Sequence, residues 1–455
     1  MTPPFAFDAV LMFGFFSVLL LCGVLLRARL SIFQKLLFPA SLIGGLLGFG
    51  AVNAVEFGYD PDLIKAFAYH FFNISFISVG LTPPATAAAG GSHSKTILRG
   101  SVWMAVLQAA TFSLQALAGG LLVLVFALFG TSLFETFGFL VPLAFNEGPG
   151  QALSIGRVWE TAGFADASTI GLSFATIGFF FAFFVGVPMA NLGVRKNRFF
   201  KKTPDRFFLR GILPKGGNLQ PAGHLTTHSA TVDCLAFHLA QIGLAYVLTW
   251  FLLSGLTRLV PEDVGAILWG FFFLFGLVVA IMLRVLFGAA GMARLMDAPL
   301  QRRITGTAVD YLIVATGCGI ELVVAGRYGV PIAVMALAAG ILTTAAVVVF
   351  GRRLSNYQLE RTVAMYGVVT GTVSSGLLLL RIVDPEFETP VAREIGFMNI
   401  FSVPVVGGLT LFLNVPLWWH WRLTSVCLVL LAVLLVAGVV LWSRRLWRSS
   451  PDSPL

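Results

Sequence analysis

Long apolar runs separated by short polar loops fill most of the chain. Runs at about 8–27, 36–55, 64–82, 100–129, 168–191, 232–256, 264–287, 305–326, 331–351, 395–416 and 424–443 are each long enough to cross a ~30 Å hydrocarbon layer as a helix. Two further apolar stretches, 134–162 and 362–383, are interrupted in the middle. The first carries Asn146-Glu-Gly-Pro-Gly-Gln151 and the second Tyr366-Gly-Val-Val-Thr-Gly-Thr-Val-Ser-Ser-Gly376. Glycine and proline at those positions do not continue a helix comfortably.

Loop charge sets the orientation. Arg27, Arg29 and Lys35 follow the first run, whereas the next loop has Glu56, Asp60 and Asp62 and no base. Lys95 and Arg99 follow the third run, and the connector after 168–191 holds Arg195, Lys196, Arg198, Lys201, Lys202, Arg206, Arg210 and Lys215. Arg302 and Arg303, Arg352 and Arg353, and the tail residues Arg444, Arg445 and Arg448 mark later loops on the same side. Basic loops face the cytoplasm. The signs alternate correctly only if each broken stretch enters and leaves the membrane on one side, with its irregular backbone covered by protein or lining a water cavity.

The chain therefore reads as an all-α polytopic membrane protein of two inverted five-span repeats, each with a re-entrant broken segment, plus one extra C-terminal span. The first repeat is 1–191 with its re-entrant segment at 134–162, and 192–229 is a basic cytoplasmic linker. The second repeat is 230–416 with its re-entrant segment at 362–383, and 417–455 holds the extra span and a basic tail. Met1–Val10 carry no Lys or Arg and no A-x-A cleavage site follows, so Asp8–Leu26 reads as a retained first span. This places the N-terminus outside and the C-terminus in the cytoplasm of a bacterial-type inner (plasma) membrane.

Residue matches between the halves support the repeat. Asn73 precedes Gly80 in the third span of the first half as Asp310 precedes Gly317 in the third span of the second. Gly150-Gln-Ala-Leu-Ser-Ile-Gly-Arg157-Val after the first break parallels Ser374-Ser-Gly-Leu-Leu-Leu-Leu-Arg381-Ile after the second, and Ile170-Gly171 parallels Ile395-Gly396. Such order, at similar offsets, marks an inverted-topology repeat.

Composition fits this class. Hydrophobic residues make up 57% of the 455 residues and charged residues 11%, too little charge to cover a soluble domain of this length. The formal net charge of +9 belongs to the loops, and no nucleic-acid-binding pattern accompanies it. The four cysteines, Cys22, Cys234, Cys318 and Cys427, are scattered in apolar stretches and form neither a disulfide framework nor a zinc motif. No enzyme motif and no cofactor site is present, and His224 and His228 lack further ligands nearby in sequence.

The candidate chemistry lies at the breaks. A helix broken in the membrane frees N–H and C=O groups that need partners, so an anionic substrate suits the half-helix N-terminus and a sodium ion suits the freed carbonyls. Candidate substrate contacts are Asn146, Glu147, Gly148, Gly150 and Gln151 in the first break, and Thr370, Gly371, Thr372, Ser374 and Ser375 in the second. Ser374 or Ser375 is the expected cap of the returning helix. Glu147 has three readings: cation ligand, proton carrier, or a charge that repels a second carboxylate. Mid-span Asn73 and Asp310 are the candidate sodium ligands. Arg157 and Arg381 stand about 10 Å along the helix from their breaks and read as interfacial, snorkelling side chains. Glu321, His238 and Arg284 read as structural.

In this pattern the chain resembles the glutamate:sodium symporter family. The resemblance rests on the first break followed by Gly163-Phe-Ala-Asp-Ala167, Ala175-Thr-Ile-Gly178 and Gly186-Val-Pro188, which match the family's G-F-x-(N/D)-A, A-T-x-G and G-x-P in order and spacing. It spans about 8–416 in organisation and is specific in residues over about 136–190. The family's first break has a G-G-H-G-T-G character and its second a histidine and more glycines, where this chain has Asn146–Gln151 and Tyr366 with Val, Thr and Ser.

The resemblance implies sodium coupling, an elevator-type movement and a homodimer. The expected function is that of a secondary active transporter, with sodium-coupled uptake of glutamate or a related small carboxylate. The alternative is a sodium/proton antiporter or other cation-coupled exchanger, with Glu147 and Asp310 as titrating carriers.

Overall fold

The computed structural model describes residues 5–54, 60–83, 92–196, 209–212, 221–261, 265, 268–385, 388–443 and 447. Glu56, Arg198, Lys201, Lys202, Arg206, Lys215, Arg444, Arg445 and Arg448, and much of the linker 192–229, lie outside the described residues, as do the side chains of Lys95, Arg195 and Lys196. Within the described residues the fold is all-helical, and nine helices are long and apolar enough to cross a membrane. The protein is a multi-pass membrane protein.

In chain order the helices are α1 (Asp8–Arg29), α2 (Ser31–Lys35), α3 (Ala40–Ala54), α4 (Pro61–Leu81) and α5 (Ser92–Leu128). Next come α6 (Leu140–Phe145), α7 (Pro149–Thr161), α8 (Ala167–Phe184) and α9 (Gly186–Lys196). After the linker follow α10 (Cys234–Leu256), α11 (Phe272–Ala289), α12 (Ala298–Cys318), α13 (Leu322–Arg327) and α14 (Gly329–Gly351). The chain ends with α15 (Gln358–Val369), α16 (Val373–Val383), α17 (Val391–Phe412), α18 (Val415–Trp419) and α19 (Leu423–Trp442).

Two predicted spans are corrected. The run 36–55 does not start as helix, because Leu37 has φ 53° and Phe38 precedes Pro39, so α3 begins only at Ala40 and has 15 residues. The run 305–326 splits: α12 starts earlier, at Ala298, capped by Asp297, and stops at Cys318. The Gly319 amide bonds back to the Ala315 and Thr316 carbonyls, and apolar Ile320 and Leu322 disguised this turn as a continuing span.

The helices form two bundles. One contains α1, α3, α4, α10, α11 and α12, with α4 and α12 packed together at its centre. The other is organised around α5, which lies against α14, α17 and α19 and reaches α6 and α15. Between the bundles, α7 and α8 touch α4 and α12, Phe38 packs on Phe183 at 5.7 Å, and Phe72 closes on Gly150. A cavity of about 400 Å³ opens between α3 and α12 on one side and α8 and α14 on the other, lined mainly by side chains such as Leu46, Phe49, Ile177, Phe180 and Ile313.

Close crossings in the first bundle occur in a matched pair. α12 crosses α3 where Gly317 lies on the Gly45 backbone; a Cβ on Gly45 would stand 2.9 Å from the Ile313 carbonyl. α4 crosses α11 where a Cβ on Gly80 would stand 2.7 Å from Ala280 Cβ and 2.8 Å from the Leu277 carbonyl. Small residues allow such approach where hydrophobic burial gives helices no preference for each other over lipid. Gly317→Leu is expected to cost about 1–3 kcal/mol of stability. Gly396→Ala, at a site with open space, should change it by less than about 1 kcal/mol. Thermal unfolding of the purified protein in detergent checks this, and equal midpoints for the two variants would remove the crossing as a constraint.

Candidate functional site

The two broken segments meet. α6 ends at Phe145, and α7 starts at Pro149 after Gly148, whose φ of +93° suits glycine. Proline at the first helical position has the right φ and needs no N–H there. A Cβ on Gly148 would stand 3.1 Å from Thr372 Cγ2 and 3.2 Å from the Gly371 carbonyl, so the first break lies directly on the second.

The second break lies between α15 and α16. Thr372 caps α16, accepting from the Ser375 amide at 3.4 Å. This corrects the expected cap: the helix starts at Val373, which puts Ser374 and Ser375 inside its first turn. Ser374 is exposed and Ser375 buried. Thr370 is buried, and its hydroxyl donates to the Tyr366 carbonyl at 2.6 Å, so its proton is not free for a ligand. The Tyr366 hydroxyl donates to the Phe181 carbonyl at 3.3 Å and lies 3.1 Å from Thr344 Oγ1, tying α15 to α8 and α14. The A-T-x-G motif has a role here: a Cβ on Gly178 would stand 2.7 Å from the Thr370 carbonyl.

Both breaks are fixed by one face of α5. Gln108 Nε2 donates to Glu147 Oε1 at 3.0 Å. Asn146 Nδ2 donates to Thr111 Oγ1 at 3.0 Å and to the Gln108 carbonyl at 3.4 Å. Gln115 Nε2 donates to the Val369 carbonyl at 3.0 Å, at the end of α15, and to Thr343 Oγ1 at 2.9 Å. Gln108, Thr111 and Gln115 were not among the sequence candidates. The available signal was polar side chains at i, i+3 and i+7 inside the run 100–129, which is one helix face.

Several buried oxygens in this region have no hydrogen-bond partner among the described residues: Gln108 Oε1, Gln115 Oε1, Asn146 Oδ1, Gln151 Oε1 and the Ser154 hydroxyl. Gln151 is 2% exposed and Gly150 is pressed on the Phe72 ring, so Gly150 serves packing as well as the break.

The sodium candidates Asn73 and Asp310 face different neighbours. Asn73 is fully buried and lies near the Tyr69 and Tyr246 hydroxyls without a completed hydrogen bond. Those hydroxyls are engaged elsewhere, Tyr69 donating to the Trp269 carbonyl at 2.7 Å and Tyr246 lying 2.6 Å from His70 Nδ1. Asp310 is exposed and faces Ser41 of α3, also outside hydrogen-bond geometry. Among the described residues neither is hydrogen-bonded to a break.

Several other polar residues hold helix ends. Arg157 pairs with Asp62 and, at 3.0 Å, with Glu160, whose carboxylate accepts from the Ser168 amide. Lys65 pairs with Glu321 at 2.9 Å, and Arg284 donates to the Gly80 and Thr82 carbonyls at the end of α4. His238 is buried, accepts from the Asp297 amide and lies 2.8 Å from the Cys234 carbonyl. Among the described residues no group of three or more His, Cys, Asp or Glu is gathered as a metal site, and His224 pairs with Asp297 instead.

Two further contacts flank the broken segments. Phe134, before α6, stacks on Phe164, after α7, at 4.6 Å. Arg361, in the first turn of α15, forms a bidentate pair with Glu394, in the first turn of α17, at 2.7 and 2.6 Å. No protein-family model and no curated protein matches the chain.

Glu394 is fully buried, so Glu394→Ala should leave an unpaired guanidinium and cost about 3–5 kcal/mol. The double variant Arg361→Met/Glu394→Met should recover much of that loss. Thermal midpoints of the three proteins decide it, and a double variant no more stable than Glu394→Ala would show that packing, not charge, is the constraint.

Proposed function

We propose that the chain is a secondary active transporter that takes up glutamate or a related small carboxylate together with sodium. The observation that carries this reading is the contact of Gly148 with Gly371 and Thr372, by which two interrupted helices expose their free backbone groups to a common place. The site offers both signs of partner. The first break presents Glu147 and unpartnered amide oxygens, which suit a cation. The second presents the N-terminus of α16, with Ser374 exposed, which suits a carboxylate.

The finer architecture belongs to the same proposal: two inverted repeats, each with a re-entrant segment. In its favour, Phe134 and Phe164 touch across the mouth of the first segment, and Arg361 and Glu394 tie the entry of the second to the start of the next span. Gly80 and Gly317, matched in sequence, each cross the second span of the opposite half. The basic loops then lie in the cytoplasm, with the N-terminus outside. The bundle around α5 carries both breaks and would slide as an elevator against the bundle around α4 and α12. A homodimer joined through the latter follows from the family resemblance.

In proteoliposomes, an inward sodium gradient is expected to drive accumulation of labelled glutamate, and collapse of the gradient to abolish it. Absence of sodium-dependent uptake of glutamate and of other small carboxylates would sink the proposal. In a cysteine-free background, Ser374→Cys should react with small aqueous thiol reagents, and saturating substrate should slow the reaction. Complete protection with and without substrate would remove the second break from the pathway.

A further inference from the structure

The buried oxygens of the first break have a consequence for where the coupling ion sits. Glu147 has one recorded partner among the described residues, the amide of Gln108. A carboxylate accepts and does not donate when ionised, so the Gln108 face toward it is the NH2, and Gln108 Oε1 is left without a donor. The same logic fixes Asn146. Its Nδ2 faces the Gln108 carbonyl, an acceptor, so Oδ1 is the orphan. Gln108 is 7% exposed and Asn146 is 3% exposed, too enclosed for bulk water to satisfy these atoms. Pro149 has no N–H to return to the Phe145 carbonyl, one turn before it, which adds a backbone oxygen to the same break.

Every one of these groups seeks positive charge, and no Lys, Arg or His side chain is recorded on Glu147 among the described residues. We propose that Gln108 Oε1, Asn146 Oδ1 and the Glu147 carboxylate bind a dehydrated sodium ion between α5 and the first break. Neutral amide and carbonyl oxygens with one carboxylate form a hard-donor set. A single formal negative charge balances a monovalent ion and leaves a divalent one with uncompensated charge in a low-dielectric site. Glu147 is partly exposed, which gives the ion a way in. The site uses other residues than Asn73 and Asp310, which face the Tyr69 and Tyr246 hydroxyls and Ser41.

The coupling role rests on the transport reading, since only then does an ion held at Glu147 travel with a substrate held against Thr372. Binding is tested apart from transport, on the full-length protein in nanodiscs. Thermal midpoints are measured against increasing NaCl, with choline chloride keeping ionic strength constant and KCl as a second series. Sodium is expected to raise the wild-type midpoint in a saturable way, more than potassium does. Gln108→Leu, Asn146→Leu and Glu147→Gln should each weaken the apparent sodium affinity by at least about tenfold. Glu147→Asp, which keeps the carboxylate and the single charge, should retain sodium dependence, so a folding defect is separated from loss of a ligand. Asn73→Ala and Asp310→Asn should leave the sodium midpoint within about twofold of wild type.

The inference is overturned if choline, potassium and sodium act alike on the wild type. It is overturned equally if the Gln108 and Glu147 variants keep wild-type sodium dependence, or if Asp310→Asn alone removes it. Sodium binding without uptake of any carboxylate would keep this site and defeat the transport proposal. Carboxylate uptake without any sodium effect would defeat both.

Discussion

Two helices broken inside a membrane need something rigid to hold their ends, and here α5 supplies it. Gln108 and Gln115 lie two turns apart on one face, about 10 Å along the axis, each aiming its NH2 at a different break. An amide buried among apolar helices is costly unless it is paired, so these contacts fix the position of α5 as firmly as that of the breaks. Thr111, between them, takes the Asn146 amide. The remainder of the second bundle follows from this stripe: α14 and α17 flank α5, and α8 approaches through Gly178, where the Thr370 carbonyl needs room.

The two breaks reach the same place with unlike neighbours. α7 lies along α8, with Gly171 against Ala152 and Gly156 against Ser168. α16 lies along α9 instead, and α17 is packed on α5. Gly396, which matches Gly171 in sequence, accordingly has open space around it. Gly80 and Gly317 both allow close helix crossings, while the side-chain packing around the two breaks differs.

This difference explains what could be read from the chain alone. The number and approximate place of the long helices follow from hydropathy and loop charge, which are summed over many residues and survive local exceptions. The interruptions at Gly148 and Gly371 were visible because glycine and proline act on their own backbone. The end of α12 at Cys318 was hidden, since the turn at Gly319–Glu321 carries Ile320 and leads into apolar Leu322–Val324. The partners of the breaks were hidden for another reason. Gln108 and Gln115 are distant in sequence from Glu147 and Val369, and a polar residue in an apolar run announces a need for a partner without naming it. The capping of α16 by Thr372 depended on a one-residue shift in the helix start, a distance at which composition is silent.

The arrangement also bears on how binding of two solutes would be linked. Acceptor oxygens crowd the first break, while the second ends in a helix N-terminus with its free N–H groups. Each is electrostatically unfavourable to complete alone: a cation beside Glu147 leaves the α16 N-terminus unanswered, and a carboxylate at α16 faces the Glu147 charge across the Gly148–Thr372 contact. With both present the local charges compensate, and the low dielectric of the enclosure makes that compensation larger than it would be in water. In the transport reading, linkage would make the effect reciprocal, with either solute raising the affinity for the other by the same factor. In the transport reading, coupling therefore resides in the contact between two helix breaks, and α5 is the part that keeps them in register while they move.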